Sequence, residues 1–359
     1  MPIDRRAFLL NALAAAGTTC AVVATGCSRG RGSASLKDAA NFLWSQQADD
    51  GGFHSTTYGL LRSGQSLTPF ALVALLGVPP GESSPPRGAV ERALNFIKTN
   101  TNADGTLGVM DDAAPDYPNY ATALAVCAMI KDGSAGYDEV IGRMVAQLRS
   151  QQFSEANGWG QLDAPYGGWG MGGPIHHPPE AGHVDLSMTR HVLEALRLSG
   201  VQSTDPVISR ALIYLERSQN TDGGFYFSPV NPEINKAGPG AVSKDKSGFA
   251  SYGTATADGV LALRAAGVSD ADPRVTEALS WLKKNHKPDR APGFEDGTGQ
   301  PWGTGLRFYY AHVISRVLPG LQVDLPPQSS DGSFRNPVNL VKEDDPLIAT
   351  TFALYVMSR

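Results

Sequence analysis

Ser218-Gln219-Asn220-Thr221-Asp222-Gly223-Gly224-Phe225 closes one apolar helical segment and leads toward another. The stretch recurs. Gln47-Ala48-Asp49-Asp50-Gly51-Gly52-Phe53 repeats it closely, and Gln328-Ser329-Ser330-Asp331-Gly332-Ser333-Phe334 nearly as closely. Thr101-Asn102-Ala103-Asp104-Gly105-Thr106-Leu107 is looser. Gln151-Gln152 with Asn157-Gly158-Trp159, and Pro292-Gly293-Phe294 after Asn285, are stretched versions. A period of this size means a supersecondary unit that buries its apolar face only by stacking on its neighbours.

Outward from each copy, the repeat reads as helix, Gly-rich loop, helix. Leu36, Ala39, Ala40, Leu43 and Trp44 form one apolar stripe at helical spacing. The Asp-Gly-Gly turn then stops the helix, because Gly tolerates positive φ. Leu67 to Leu76 is the partner helix. Later first helices open at Val90, Val140, Val207 and Val275. Their partners span 120–130, 186–199, 254–266 and 306–318. In the sixth repeat Pro326-Pro327 leads almost directly into Gln328, leaving little room for a first helix; its second helix spans 346–357. Thr68, Thr122, Thr189, Thr256 and Thr350 stand near the starts of second helices and are expected to line whatever those helices enclose. No convincing strand alternation appears. The predicted fold class is all-α, a double ring of about six helical hairpins with the last truncated. First helices lie outside, second helices inside, and the Gly/aromatic loops at one end.

A chain of 359 residues, 42% hydrophobic, has ample material for a large core. Its 40 glycines and 25 prolines cluster between apolar runs, which predicts structured loops rather than disorder. A net charge of -5, without basic runs interleaved with aromatics, argues against nucleic acid as a partner. Nothing in the sequence points to a cofactor. Arg5-Arg6 precede an apolar run from Ala7 to Gly26 and resemble a twin-arginine export signal. Ala24-Thr25-Gly26-Cys27 resembles a lipoprotein processing site with Cys27 as the lipidated residue. An ordinary signal peptide or an uncleaved anchor would carry the same apolar run. Residues 1–27 therefore read as signal, 28–35 as tether and 36–359 as the helical ring. The expected location is the periplasm or cell envelope, at the membrane through a lipid anchor. Beyond the signal only Cys127 remains, a small core residue in an apolar helix.

The pattern Leu-x-x-x-Gln-x-x-Asp-Gly-Gly-Phe near Tyr214–Phe225, and Ala39 to Gln47, resemble the prenyltransferase and squalene-cyclase repeat. Tyr166-Gly167-Gly168-Trp169-Gly170, Asp185-Leu186-Ser187-Met188-Thr189, Ser251 to Gly259 and Gly305 to Tyr310 resemble an exported bacterial group of squalene-cyclase-like proteins. The resemblance covers Leu36 to Met357. It implies an α/α toroid with a central apolar cavity, in which the Gln and aromatic of each repeat tie it to the next. It also implies an isoprenoid or other apolar small-molecule ligand. The cyclase acid, Asp-x-Asp-Asp, is absent, as is an Asp-x-Cys zinc motif, so no metal is expected. Asp111-Asp112-Ala113-Ala114-Pro115-Asp116 departs from a magnesium-diphosphate motif by one position.

The residues themselves offer three constellations. His176, His177, His183 and Asp185 follow Tyr166 and Trp169 in the long third loop, where imidazole can move protons near neutral pH. Glu295 lies close to Trp302, a carboxylate beside an aromatic. Phe308, Tyr309 and His312 lie on the fifth inner helix, where ring faces can stabilise a cation. Asp258 is the carboxylate expected to point inward. Asp258, His183, Asp185 and Glu295 are thus the catalytic candidates. Tyr166, Trp169, Trp302, Phe308, Tyr309 and His312 are the ligand-binding candidates. Three functions stay open: an enzyme on an isoprenoid or similar apolar substrate, a non-catalytic envelope binding or scaffold protein, and a carbohydrate-active enzyme.

Overall fold

Turn chemistry and helical stripes build the ring one repeat at a time. The structure, a computed structural model, describes residues 34–110, 115–240, 248–294 and 299–359. Among them are twelve α-helices and no strand longer than an isolated bridge. Six form the inner ring: α2 (Leu67–Leu75), α4 (Pro118–Asp132), α6 (Leu186–Leu198), α8 (Gly253–Ala265), α11 (Arg307–Val317) and α12 (Pro346–Met357). Each packs on the next, and α12 packs on α2, so the ring is closed. Outside lie α1 (Leu36–Ser45), α3 (Ala89–Thr99), α5 (Asp138–Ser150), α7 (Pro206–Ser218) and α9 (Pro273–Asn285). The single turn α10 (Trp302–Gly305) precedes α11.

The repeat motif now has a physical meaning, position by position. Asp222 Oδ1 accepts from Gly224 N at 2.9 Å, shaping the turn. Gly223 has φ +85, and a Cβ there would lie 2.9 Å from the Glu277 backbone on the next outer helix. Gln219 Nε2 donates to Gly223 O at 3.0 Å and to Arg274 O, at the start of α9, at 2.8 Å. Gln47 and Gln152 hold Ala89 O and Val207 O in the same way. Each Gln therefore fastens its own loop to the first turn of the next outer helix.

The five threonines do not line a cavity. Thr68, Thr122, Thr189, Thr256 and Thr350 are 0–1% exposed. Their hydroxyls accept the backbone N–H groups of Phe53, Leu107, Trp169, Phe225 and Phe334 at 2.8–3.1 Å. Each hydroxyl satisfies a donor that the loop buries, so the motif residue, aromatic in four of the five and Leu107 in the other, is pinned to the following inner helix.

The truncated sixth repeat closes through the first. The chain after α11 contributes Leu321, Val323 and Leu325 to the core as an extended strap in place of an outer helix. Then α1 packs on α12 as its outer partner. Gln328 Oε1 accepts from Ser35 N at 2.7 Å, and Gln328 Nε2 donates to Ser35 O at 3.0 Å. Ser35 caps α1, so the last Gln grips the first outer helix as the others grip their successors. The loop before α12 also spans this seam. Asp345 Oδ2 accepts from Ser55 Oγ at 2.5 Å, and Lys342 Nζ donates to Tyr117 OH at 3.1 Å. Tyr117 (φ 46) and Lys342 (φ 65) are the two described non-glycine residues in left-handed backbone, and they touch each other.

Candidate functional site

Charged side chains on inner helices are the departure from the stacking pattern, because an inner helix should be apolar all round. Arg190, 1% exposed, lies on α6 between Thr189 and His191. Its Nε donates to Asp258 Oδ1 on α8 at 3.1 Å, and its Nη1 donates to Glu194 Oε2 at 2.9 Å. Arg316 Nη2 on α11 donates to Glu194 Oε1 at 2.7 Å. Two guanidiniums and two carboxylates thus neutralise one another inside the ring, as burial requires.

A hydroxyl chain joins this network. Tyr309 OH donates to Asp258 Oδ2 at 2.7 Å, and Arg190 Nη2 donates to Tyr309 OH at 3.3 Å. Ser187 Oγ lies 2.6 Å from Tyr309 OH. With the single Tyr309 proton committed to Asp258, Ser187 is the donor of that contact. Asp258 is fully buried, whereas Tyr309 and Ser187 keep part of their surface accessible. Of these hydroxyls, the Tyr309 OH touches Asp258 directly, and Ser187 reaches it through Tyr309.

The electrostatics follow from burial. Burial raises Asp258 to about 6, against the pull of Arg190 and the Tyr309 hydrogen bond. Burial would also raise Glu194, but Arg316 and Arg190 outweigh it and hold that carboxyl at about 2. Burial, then the Asp258 charge, pushes Tyr309 well above its ordinary value, so it stays a donor. Burial keeps His191 and His312 neutral. His191 Nδ1 lies 2.8 Å from Ser187 O, so Nδ1 carries the proton of the neutral ring. His312 Nδ1 is buried without a hydrogen-bond partner.

Beside the charges lies a cluster of aromatic rings. Phe70 meets Phe352 at 4.9 Å and Tyr120 at 6.3 Å between centroids. Tyr120 meets His191, and His312 meets Tyr355, each at 4.4 Å. Tyr309 closes onto Phe352 at 5.5 Å.

A second cluster surrounds Phe227. His183 Nε2 pairs with Asp185 Oδ2 at 2.7 Å, and the His183 ring meets Phe227 edge-on at 6.5 Å. Asp185 also caps α6 by accepting from Met188 N at 2.7 Å. Lys236 Nζ stands 3.9 Å above the Phe227 ring and 5.7 Å from the Trp302 ring.

The candidates drawn from the sequence thus separate. Asp258 and Tyr309 pair inside the ring, and His312 joins the aromatic cluster through Phe352 and Tyr355. His183 and Asp185, at the start of α6, share the Phe227 cluster with Trp302. Three other candidates serve packing. Trp169 is fully buried and donates Nε1–H to Leu148 O at 2.7 Å. Tyr166 sits in a small cluster with Phe153, Trp159 and Tyr214, its hydroxyl on Glu155 Oε1 at 2.6 Å. Phe308 is buried against Phe334 at 6.1 Å. Glu295 and Cys27 lie outside the described residues. So do Asp111 and Asp112, while Asp116 accepts from Ser63 and Ser66 as a loop anchor. Sequence reasoning missed Arg190, Glu194, Arg316, Ser187 and Lys236. Arg190 and Glu194, at i and i+4 within an apolar helix, were the legible signal; a loop lysine carries none. Among the described residues no group of three or more His, Cys, Asp or Glu could hold a metal ion, and no helix is long and apolar enough to cross a membrane.

The fold is the α/α toroid of terpene cyclases and protein prenyltransferases. The chain is similar to the type II terpene cyclase MstE from Scytonema, at 14% identity and TM-score 0.56 over 90% of this chain and 96% of that one. It is similar to Candida albicans protein geranylgeranyltransferase-I complexed with GGPP, at 13% identity and TM-score 0.55 over 90% of each chain. The fold is shared equally with UGL bound to dGlcA-Glc-Rha-Glc, at 12% identity and TM-score 0.55 over 90% of this chain and 94% of that one. No family model and no curated protein matches the sequence.

Proposed function

We propose that the protein binds a small molecule with an apolar body, isoprenoid or similar, inside the ring, and does so at the cell envelope after export and lipidation at Cys27. The observation that carries this reading is an aromatic cluster with hydroxyls at its edge. Phe70, Tyr120, Phe352, Tyr355 and His312 are linked by ring contacts, and Tyr309, packed on Phe352, brings its own hydroxyl and that of Ser187 beside them. Ligand sites combine largely apolar walls with a few placed polar groups in this way. Solved structures on the same fold hold geranylgeranyl dihydroxybenzoate and GGPP. Asp258 orients Tyr309 by accepting its hydrogen bond, Arg190 fixes Asp258, and Glu194 fixes Arg190. The ligand meets Tyr309 and Ser187 rather than the acid itself.

The test is a fluorescence titration of the full chain with geranylgeraniol and with squalene. Saturable binding is expected, weakened about tenfold by Phe352→Ala through lost ring contact. Absence of saturable binding to either compound sinks the reading. A second reading, a carbohydrate-active enzyme, is favoured by the charged cluster Arg190, Asp258 and Tyr309 and by the sugar-bound UGL on this fold. Product analysis after incubation with uronate-containing oligosaccharides separates the two. Lipidation at Cys27 is tested by labelling cells with a radioactive fatty acid, whose incorporation Cys27→Ala should abolish. Export is tested by locating the chain after cell fractionation, and Arg5→Lys with Arg6→Lys should block it.

A further inference from the structure

Lys236 is held in place by its own loop. Asn235 Oδ1 accepts the backbone N–H groups of Phe227 and Ser228 at 2.9 and 3.0 Å, and Asn235 Nδ2 donates to Ser228 O at 2.8 Å. This clamp sets residue 236 beside Phe227. The ammonium lies on the faces of Phe227 and Trp302, both of which keep some accessible surface. Ring faces attract a cation but do not neutralise it.

Among the described residues, Lys236 makes no hydrogen bond and no ion pair. Asp185 and Asp258 act on it only through space, and both are already committed, to His183 and to Arg190 with Tyr309. Burial drives the amine below its ordinary value. A half-buried ammonium without an anion is costly, and an incoming anion lowers that cost. Lys236 is also the only described cation against either ring. One ammonium matches one negative charge, whereas a diphosphate needs several cations or a metal.

We infer that Lys236 is the receptor for a single carboxylate on the ligand, so that the bound molecule is an amphiphilic acid: an apolar body with one carboxylate head. This rests on the ring-interior reading above for the body, and on Lys236 alone for the head.

The experiment titrates the full chain with three probes sharing one body: geranylgeranoic acid, geranylgeraniol and geranylgeranyl diphosphate. The acid should bind at least tenfold more tightly than the alcohol and the diphosphate. Lys236→Met should erase that preference, bringing the acid to the affinity of the alcohol or below, and Lys236→Arg should keep part of it. Equal binding of acid and alcohol, preference for the diphosphate, or an undiminished preference in Lys236→Met overturns the carboxylate assignment and leaves the ring-interior reading intact. If none of the three binds, the ring-interior reading fails. The head site is then decided by whether benzoate slows acylation of Lys236 relative to Lys283 and Lys284, mapped by mass spectrometry. Selective protection supports the site, and equal rates overturn it.

Discussion

Gln328 and Ser35 lie 293 residues apart in the chain and exchange two hydrogen bonds, at 2.7 and 3.0 Å. The contact reproduces between the last and first repeats the grip that Gln219 exerts on Arg274 within the chain. A toroid whose sixth outer helix is missing thereby closes on its first outer helix.

The Gln grips should rank by burial. Gln152 and Gln219 are buried, at 1% and 5% exposure, while Gln47 and Gln328 are half-exposed. Replacing Gln219 with Ala strands buried carbonyls and should cost about 2–3 kcal/mol; Gln328→Ala should cost about 1 kcal/mol. Urea unfolding of both variants checks the order, and a larger loss for Gln328→Ala contradicts it.

Thr256→Val keeps the side-chain shape but removes the acceptor for Phe225 N–H. A buried unpaired donor should cost about 1–3 kcal/mol. Thr256→Ser should recover most of it, because the hydroxyl returns. Thermal unfolding of the pair distinguishes this from loss of a methyl group, which would leave Ser the worse replacement.

Stability should fall between about pH 4 and pH 7. Burial raises Asp258 from 3.8 to about 6 and Glu343 from 4.5 to about 7. The native state then binds these protons more tightly than the unfolded chain. Their contribution is full below the unfolded values and lost as pH rises through the folded ones. Each is worth roughly 3 kcal/mol across its window. Glu194, held at about 2, acts oppositely: its stabilisation is full above 4.5 and lost as pH falls toward 2. Urea midpoints across pH should therefore peak near pH 4–5. Asp258→Asn should flatten the fall between pH 4 and 6, and Glu343→Gln the fall between pH 4.5 and 7. Unchanged slopes in both variants would remove burial of these carboxyls as the cause.

His312→Phe should stabilise the protein by about 1 kcal/mol, because it replaces an unpartnered buried nitrogen and keeps a ring against Tyr355 and Phe352. Calorimetry gives the gain. A loss of stability instead means that His312 Nδ1 has a partner in solution, such as an ordered water.

The repeat was legible because its chemistry is local. Gln, Asp, Gly, Gly and Phe each act within one turn and on the nearest neighbouring helix, so Ser218 to Phe225 specified the stacked hairpins, the inner and outer rings and the side bearing the loops. The threonines were misread, since a hydroxyl inside a helix looks the same whether it faces a cavity or a neighbouring N–H. Trp169 and Phe308 were misplaced for a related reason: an aromatic side chain alone does not say which face of its helix or loop turns inward. Asp258 stood out in the sequence because a lone acid among apolar residues must be paired or functional, and the structure pairs it with Arg190 and Tyr309. What only the tertiary structure decided is its company. Arg190 and Tyr309 come from helices 68 and 51 residues away, and Lys236 reaches its ring faces from a loop. Packing of each inner helix on the next sets which inward faces meet, and no local pattern records contacts between side chains that different repeats bring together.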